Sequence, residues 1–286
     1  MAGKGKVARF WNIFKQRKSA LFGLAIIVIF VLGILAAPII APYDPSDKTG
    51  SAFEPPSRHH LLGTNDIGVD ILSELIYAGR VSLMVGLIAT GFIIIIGSSI
   101  GLISGYFGGF IDEILMRITD VVLILPRLPL MIVMAAYLGP GMWTIIFVYS
   151  IVGWASVARQ VRSQVLPARE ATFVEASRAI GAGNTHIIIS HILPNISGII
   201  IANGVMEIMF AILTEAGLSF LGLGDPTHKS WGVMLYFAQL QGAFLRGAWW
   251  WIFPPGICIA LFSCAFNFVG TALNDLFGLK LGKRDR

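Results

Sequence analysis

Six apolar runs, each close to the length of a helix that crosses a bilayer, dominate this chain. They lie at about Ala20 to Ala41, Ser82 to Ser104, Asp120 to Leu138, Met142 to Val161, Ile196 to Leu221 and Trp249 to Leu276. Only a helix or a closed barrel satisfies its own backbone hydrogen bonds inside lipid, and a run of roughly 20 apolar residues spans the hydrocarbon as a helix. A mean hydropathy of +0.78, with 56% hydrophobic and 13% charged residues over 286 positions, excludes an ordinary soluble domain. The expected class is all-α, a polytopic membrane protein with six transmembrane helices.

An even number of spans puts both ends on one side, and the basic residues select that side. Lys4, Lys6, Arg9, Lys15, Arg17 and Lys18 precede the first span, and Arg117 lies in the second connection. Arg159, Arg162, Arg169 and Arg178 flank the fourth span, and Lys280, Lys283, Arg284 and Arg286 follow the last. The opposite side carries only Lys48, Arg58, Arg80, Lys229 and Arg246, with Arg127 inside a span. Both termini are therefore expected in the cytoplasm. The first apolar run is too long for a cleaved leader and reads as an uncleaved signal-anchor helix. The net charge of +5 sits at membrane edges without a basic-aromatic motif, so it points to lipid and not to nucleic acid.

The expected organisation is a cytoplasmic tail at 1–19, a first helix at 20–42 and an extracytoplasmic segment at 43–80. A five-helix core at 81–278 and a cytoplasmic tail at 279–286 follow. In the extracytoplasmic segment, Ile67, Ile71, Leu72, Leu75 and Ile76 oppose Asp66, Asp70, Ser73 and Glu74, which predicts an amphipathic helix lying at the outer interface. Gly97, Gly101, Gly105 and Gly109 form a ridge on which another helix can pack closely. Trp231, Tyr236, Phe237, Phe244, Trp249, Trp250 and Trp251 crowd the outer ends of the last spans as an interfacial belt.

The connection at 166–194, expected in the cytoplasm, holds the most distinctive pattern. Phe173 to Ile180 favours a short helix, Gly181 permits the positive φ that ends it, and Thr185 to Ser190 can begin a second one. Pro194 is expected to close the element before the next span. The small residues Ala176, Ser177 and Ala179 leave room for a partner surface, and Glu175 and Arg178 offer it directional contacts. Inside the spans, Asn203, Glu207 and Glu215 share roughly one face of the fifth helix, while Asp120 and Arg127 lie on the third. Charged groups there must face protein or water, so Arg127 is expected to pair with Glu207 or Glu215 or to line the pore and meet a substrate carboxylate. Arg127, Asn203, Glu207 and Glu215 are the pathway candidates, with Glu215 the more structural of them.

Glu175-Ala176-Ser177, three residues, Gly181, nine residues, then His191-Ile192-Leu193-Pro194 is similar to the signature of binding-protein-dependent ABC importer permeases. It departs from that pattern at Ser177 and His191. Leu62-Gly63-Thr64-Asn65, Ala78-Gly79-Arg80-Val81-Ser82-Leu83, Gly105-Tyr106-Phe107-Gly108-Gly109 and Leu213 to Gly224 resemble the dipeptide, oligopeptide and nickel branch, in particular its C-type peptide permeases. Gly68-Val69-Asp70 stands where that branch usually has Gly-Arg-Asp. The resemblance implies a type I importer permease fold in a prokaryotic inner membrane. It also implies a homologous second permease, two cytosolic ATPase subunits that hold ATP and magnesium, and an extracytoplasmic solute-binding protein. Coupling to the ATPases would fall to Glu175, Ala176, Ser177, Arg178, Gly181, His191, Leu193 and Pro194. Peptide is the implied cargo, with nickel or oligosaccharides as the alternatives.

Chemistry of other kinds is not encoded. Gly224 to Ser230 lacks the second glycine of a phosphate loop, so the chain is not expected to be an ATPase. His59-His60 has no third ligand in view, Cys258 and Cys264 lack zinc spacing, and no catalytic constellation is present, so neither a metal nor a cofactor is expected in this chain. An ion-coupled transporter using Asp120, Arg127, Glu207 and Glu215 as a relay is the reading from another class. It leaves the motif-bearing loop unexplained and finds no duplicated half with broken helices.

Overall fold

A computed structural model describes residues 17–281, with side chains to residue 277. Lys4, Lys6, Arg9 and Lys15 and the side chains of Lys280, Lys283, Arg284 and Arg286 lie outside the described residues. The described chain is helical with no strand, and its only sheet-like pairs are isolated bridges, Lys48 with Val69 and Thr64 with Asp70. In chain order the helices are α1 (Lys18–Leu35), α2 (Ala37–Ile40), α3 (Ile71–Phe107), α4 (Gly109–Ile124), α5 (Arg127–Leu138) and α6 (Met142–Arg169). They continue with α7 (Thr172–Ala179), α8 (Asn184–Ile187), α9 (Leu193–Leu218), α10 (Trp231–Leu240) and α11 (Trp249–Leu281). Five helices are long and apolar enough to cross a membrane, and α4 with α5 makes a sixth if that bent pair counts as one span. The all-α polytopic class is as the apolar runs require.

The third span departs from the expected straight helix over Asp120 to Leu138. It breaks at Leu125 and Pro126, where α4 and α5 meet at 86°. The residue before a proline is driven out of the α region, and Leu125 sits at φ −69 and ψ 136.

The amphipathic segment is also not a separate interfacial helix. It is the first two turns of α3, a single 37-residue helix that continues into the second span. Asp70 caps it by accepting from the Ser73 N–H at 2.8 Å, and Glu74 adds negative charge to the first turn. The polar face made by Asp70, Ser73 and Glu74 is buried, because the preceding segment wraps over it: Ser73 Oγ accepts from the Tyr43 N–H at 3.1 Å and Glu74 accepts from Asn65 Nδ2 at 3.2 Å. The sequence pattern marks a polar face, and here that face meets polar protein instead of water.

The bundle is held by close backbone approaches. A Cβ on Gly97, Gly101 or Gly105 would stand within 2.7 Å of the Trp154 carbonyl, the Ala158 carbonyl or the Val165 side chain, so the α3 ridge lies directly on α6. Gly109 is not part of that ridge; it turns the chain at φ +53 and begins α4. Gly23 of α1 packs in the same way on Ala265 of α11, and Arg17 forms an ion pair with Asp275, so the start of α1 and the end of α11 lie on one side.

Three of the outer tryptophans are core residues and not a belt. Trp231, Trp250 and Trp251 are buried, the Trp231 Nε1–H donates to the Leu75 carbonyl at 2.9 Å, and the Trp250 Nε1–H donates to that of Thr64 at 3.3 Å. Phe244 and Trp249 remain exposed.

Candidate functional site

On the side where α6 ends, the chain makes the helix, turn and helix that the motif predicts. Helix α7 ends in a Schellman arrangement: the Ala182 N–H donates to the Ser177 carbonyl at 3.0 Å, the Gly181 N–H donates to that of Arg178 at 2.9 Å, and Gly181 holds φ +82. Nothing lies within 4 Å of a Cβ built on Gly181, so the position requires glycine for its backbone angle alone.

Pro194 does not close the element. Asn184 to Leu218 runs on without interruption, because Ile188–Ile192 forms a π turn in which the Leu193 N–H donates to the Ile188 carbonyl. The extra residue in that turn absorbs the donor that proline lacks. Residues 166–169 likewise belong to α6, so most of the connection is helix.

The element has a buried and an exposed face. Val174 and Ile187 are fully buried, and Ser177 is buried as well: its hydroxyl donates to the Phe173 carbonyl at 2.8 Å and sits 3.3 Å from His191 Nε2. Ser177 therefore braces α7 against the π turn and does not face a partner, as its small size had suggested. His191 is half-buried against His186, and Leu193 packs into the core. Arg178 stays exposed but lays its guanidinium 5.4 Å from the centre of the Tyr106 ring, and the Tyr106 hydroxyl donates to Asn184 Oδ1 at 2.8 Å. Phe173, Glu175, Ala176, Ala179 and Ile180 make the exposed face, and Ile180 is 86% accessible.

Three arginines on this side, read from the sequence only as markers of topology, each have a partner in the structure. Arg162 meets Asp112 through Nε and Nη2 at 2.6 Å each, and Arg159 pairs with Asp120. Arg169 Nη1 donates to the Gly105 carbonyl at 3.1 Å. These contacts join the ends of α3, α4 and α6 beneath α7. Tyr106, Asp112, Asn184 and Val174 were missed as supports; Tyr106 lies in a glycine-rich motif that was noted for resemblance alone.

Within the spans the candidates separate. Glu215 is enclosed by three hydroxyls, accepting from Ser230 at 2.5 Å, Ser219 at 2.7 Å and Ser82 at 3.4 Å, and so joins α9, α10 and α3. Glu207 accepts from the Tyr149 hydroxyl at 3.0 Å and makes no hydrogen bond with Arg127. The expected pairing of Arg127 with Glu207 or Glu215 is thus replaced by a tyrosine and three serines. Arg127 opens α5 directly after Pro126, and its Nε and Nη2 are buried without a hydrogen-bond partner, as is Asn203 Nδ2.

On the opposite side a polar knot anchors the loop over α3. His60 Nδ1 lies 3.0 Å from Asp70 Oδ1, Asn65 Oδ1 accepts from the Ile67 and Val69 N–H groups at 3.0 Å each, and Glu74 pairs with Lys229. Val69, which stands where the resembling branch usually has arginine, is buried beside this knot, its N–H donating to Asn65 Oδ1. His60 is buried and His59 exposed, so the two do not face a common centre. Among the described residues no group of three metal-ligating side chains converges.

The sequence profile of the family described as binding-protein-dependent transport system inner membrane component matches residues 97–283. The profile for the N-terminal transmembrane domain of oligopeptide transport permease C matches residues 7–56. The chain is 39% identical to the oligopeptide transport system permease protein OppC of Bacillus subtilis, over 94% of this chain and 88% of that protein. It is 37% identical to the dipeptide transport system permease protein DppC of Haemophilus influenzae, over 98% and 97% of the two chains. It is also 37% identical to a putative peptide permease protein of Brucella suis, over 96% and 92%. With the bundle and its helix-turn-helix element, these matches make the chain a multi-pass membrane permease subunit that belongs to the inner membrane component family of binding-protein-dependent transport systems.

Proposed function

We propose that this chain forms half of the translocation pathway of an ATP-driven peptide importer, with a homologous second permease as the other half. Two cytosolic ATPase subunits carrying ATP and magnesium, and an extracytoplasmic binding protein that delivers the peptide, complete the machine. The observation that carries the reading is the α7 element: an exposed apolar face at Phe173, Ala176, Ala179 and Ile180, mounted on buried Val174 and Ser177 and joined by the Gly181 turn to the helix that runs from Asn184 into a membrane span. Such a face suits a groove on an ATPase, and its inward contacts make it stiff enough to pass on force. Shifting a two-state pore from 1:99 to 99:1 takes about 5.5 kcal/mol of differential binding, which a loosely hung loop could not transmit. Both termini and α7 then face the cytoplasm, in keeping with the basic residues near them. The names of the relatives, dipeptide and oligopeptide permeases, support peptide as the cargo.

Mass spectrometry of what co-purifies with the chain from its native membrane, after crosslinking and in mild detergent, tests the reading. Recovery of a second permease, ATPases and a peptide-loaded binding protein is expected. A binding protein loaded with sugar or nickel overturns the cargo, and a chain recovered alone overturns the mechanism.

A further inference from the structure

A guanidinium buried within a membrane needs an acceptor, since a charged side chain at mid-span costs about 2.5–3.5 kcal/mol on insertion scales. The same protein shows what such a group takes. On Arg162 the Nε and Nη2 edge is filled by the two oxygens of Asp112, at 2.6 Å each. On Arg127 that same pair of nitrogens is buried and makes no hydrogen bond.

Nearby groups do not supply the acceptor. Glu207 is within electrostatic reach, but its Oε2 is engaged by Tyr149, and no ion pair with Arg127 forms within 4.0 Å. Asn203, one turn from Glu207 on α9, contributes another buried donor without a partner at Nδ2. Gly153 of α6 makes the room: a Cβ there would stand 3.4 Å from Arg127 Nη2. The unpaired Arg127 edge is a planar fork whose geometry matches a carboxylate. The fork sits at the first residue of α5, beside the 86° break, where the helix is divided into two pieces that can move separately.

We infer that Arg127 receives the C-terminal carboxylate of a peptide in transit, through the Nε and Nη2 edge that Asp112 occupies on Arg162. The inference rests on the peptide-importer reading above. Arg127 is then a specificity residue of the membrane pathway, separate from whatever selection the binding protein makes.

The test is uptake by the complete transporter in proteoliposomes, comparing one dipeptide with its C-terminal amide. The pair is chosen so that the isolated binding protein binds both, and each is supplied at saturation. Wild type is expected to move the acid about ten- to a hundredfold faster than the amide, the range expected for a lost charge-assisted hydrogen bond. R127Q should bring the acid-to-amide ratio close to one, and R127K should restore part of it. An acid-to-amide ratio unaltered by R127Q overturns the inference. So does equal slowing of both peptides that E207Q reverses, which would identify an internal ion pair. A dipeptide bearing an aspartate side chain but an amidated C-terminus separates the two carboxylates, and rapid uptake of it would reassign Arg127 to side chains. Wild-type complex that moves none of these peptides refutes the underlying peptide reading instead, an outcome distinct from a changed ratio.

Discussion

Glu215 and Arg127 are both ionisable residues inside spans, and the sequence pattern alone treats them alike. Their surroundings set them apart. Three serine hydroxyls converge on Glu215, so Glu215→Ala would leave buried donors without an acceptor at about 1–3 kcal/mol each. Thermal unfolding in detergent should show a large loss for Glu215→Ala and a smaller one for Glu215→Gln, which keeps an acceptor oxygen. Of this site the sequence shows that a polar residue is present, but the three serines come from separate helices, and their convergence is a product of packing.

Asp225, in the loop before α10, gives a pH prediction. Burial alone would raise its carboxyl, yet hydrogen bonds from Thr227 and His228 outweigh that and hold it at about 2. The folded value lies below the ordinary value of about 3.9, so the contribution is fully present above about pH 4 and is lost as pH falls toward 2. Asp225→Asn should flatten that acid-side slope in a stability titration and leave the slope near neutrality unchanged.

At the scale of elements, what could be read from sequence was whatever depends on local chemistry. Membrane-length apolar runs gave the long helices, and Gly181 gave the end of α7, because lipid and positive φ impose their demands residue by residue. Three features resisted for one shared reason, that a local signal has more than one tertiary answer. The polar face at the start of α3 met protein instead of water. Pro126 broke a run whose hydropathy is continuous, whereas Pro194 left its helix unbroken because the π turn supplied the missing residue. Ser177, small enough to suit a partner-facing surface, is buried against His191, while Arg178 stays exposed and lays its guanidinium over Tyr106. Gly181→Val forces a β-branched residue into φ +82, where nothing crowds the side chain but the backbone itself resists. The expected result in reconstituted vesicles is a complex that still assembles and hydrolyses ATP while peptide uptake falls at least about tenfold, a loss of about 1.4 kcal/mol in coupling. Uptake at the wild-type rate would show that the turn does not transmit force.

For the molecule as a whole, the seam between α3 and α6 fixes the bundle, and its glycines leave no space for a side chain. Gly101→Leu places a Cβ 2.5 Å from the Ala158 carbonyl with further carbons beyond it, so the two helices must separate along their length. Size-exclusion profiles and yields in detergent should show a poorly folded protein, whereas Gly91→Leu, at a position with open space, should behave as wild type.

The unbroken run from Asn184 through the π turn to Leu218 extends about 52 Å at 1.5 Å per residue, and Gly222 at φ +85 breaks the helix shortly beyond it. Under the importer reading it serves as a lever that begins beside the exposed face of α7 and finishes next to Glu215 and its serines. A tilt of about 5° about the near end swings the far end by about 5 Å over that length, close to one helical turn. Had Pro194 made a hinge, the same push would have been spent bending the chain at its base. Under that same reading, the stiffened joint would carry a push on α7 to the opposite end of the bundle without any intermediate messenger.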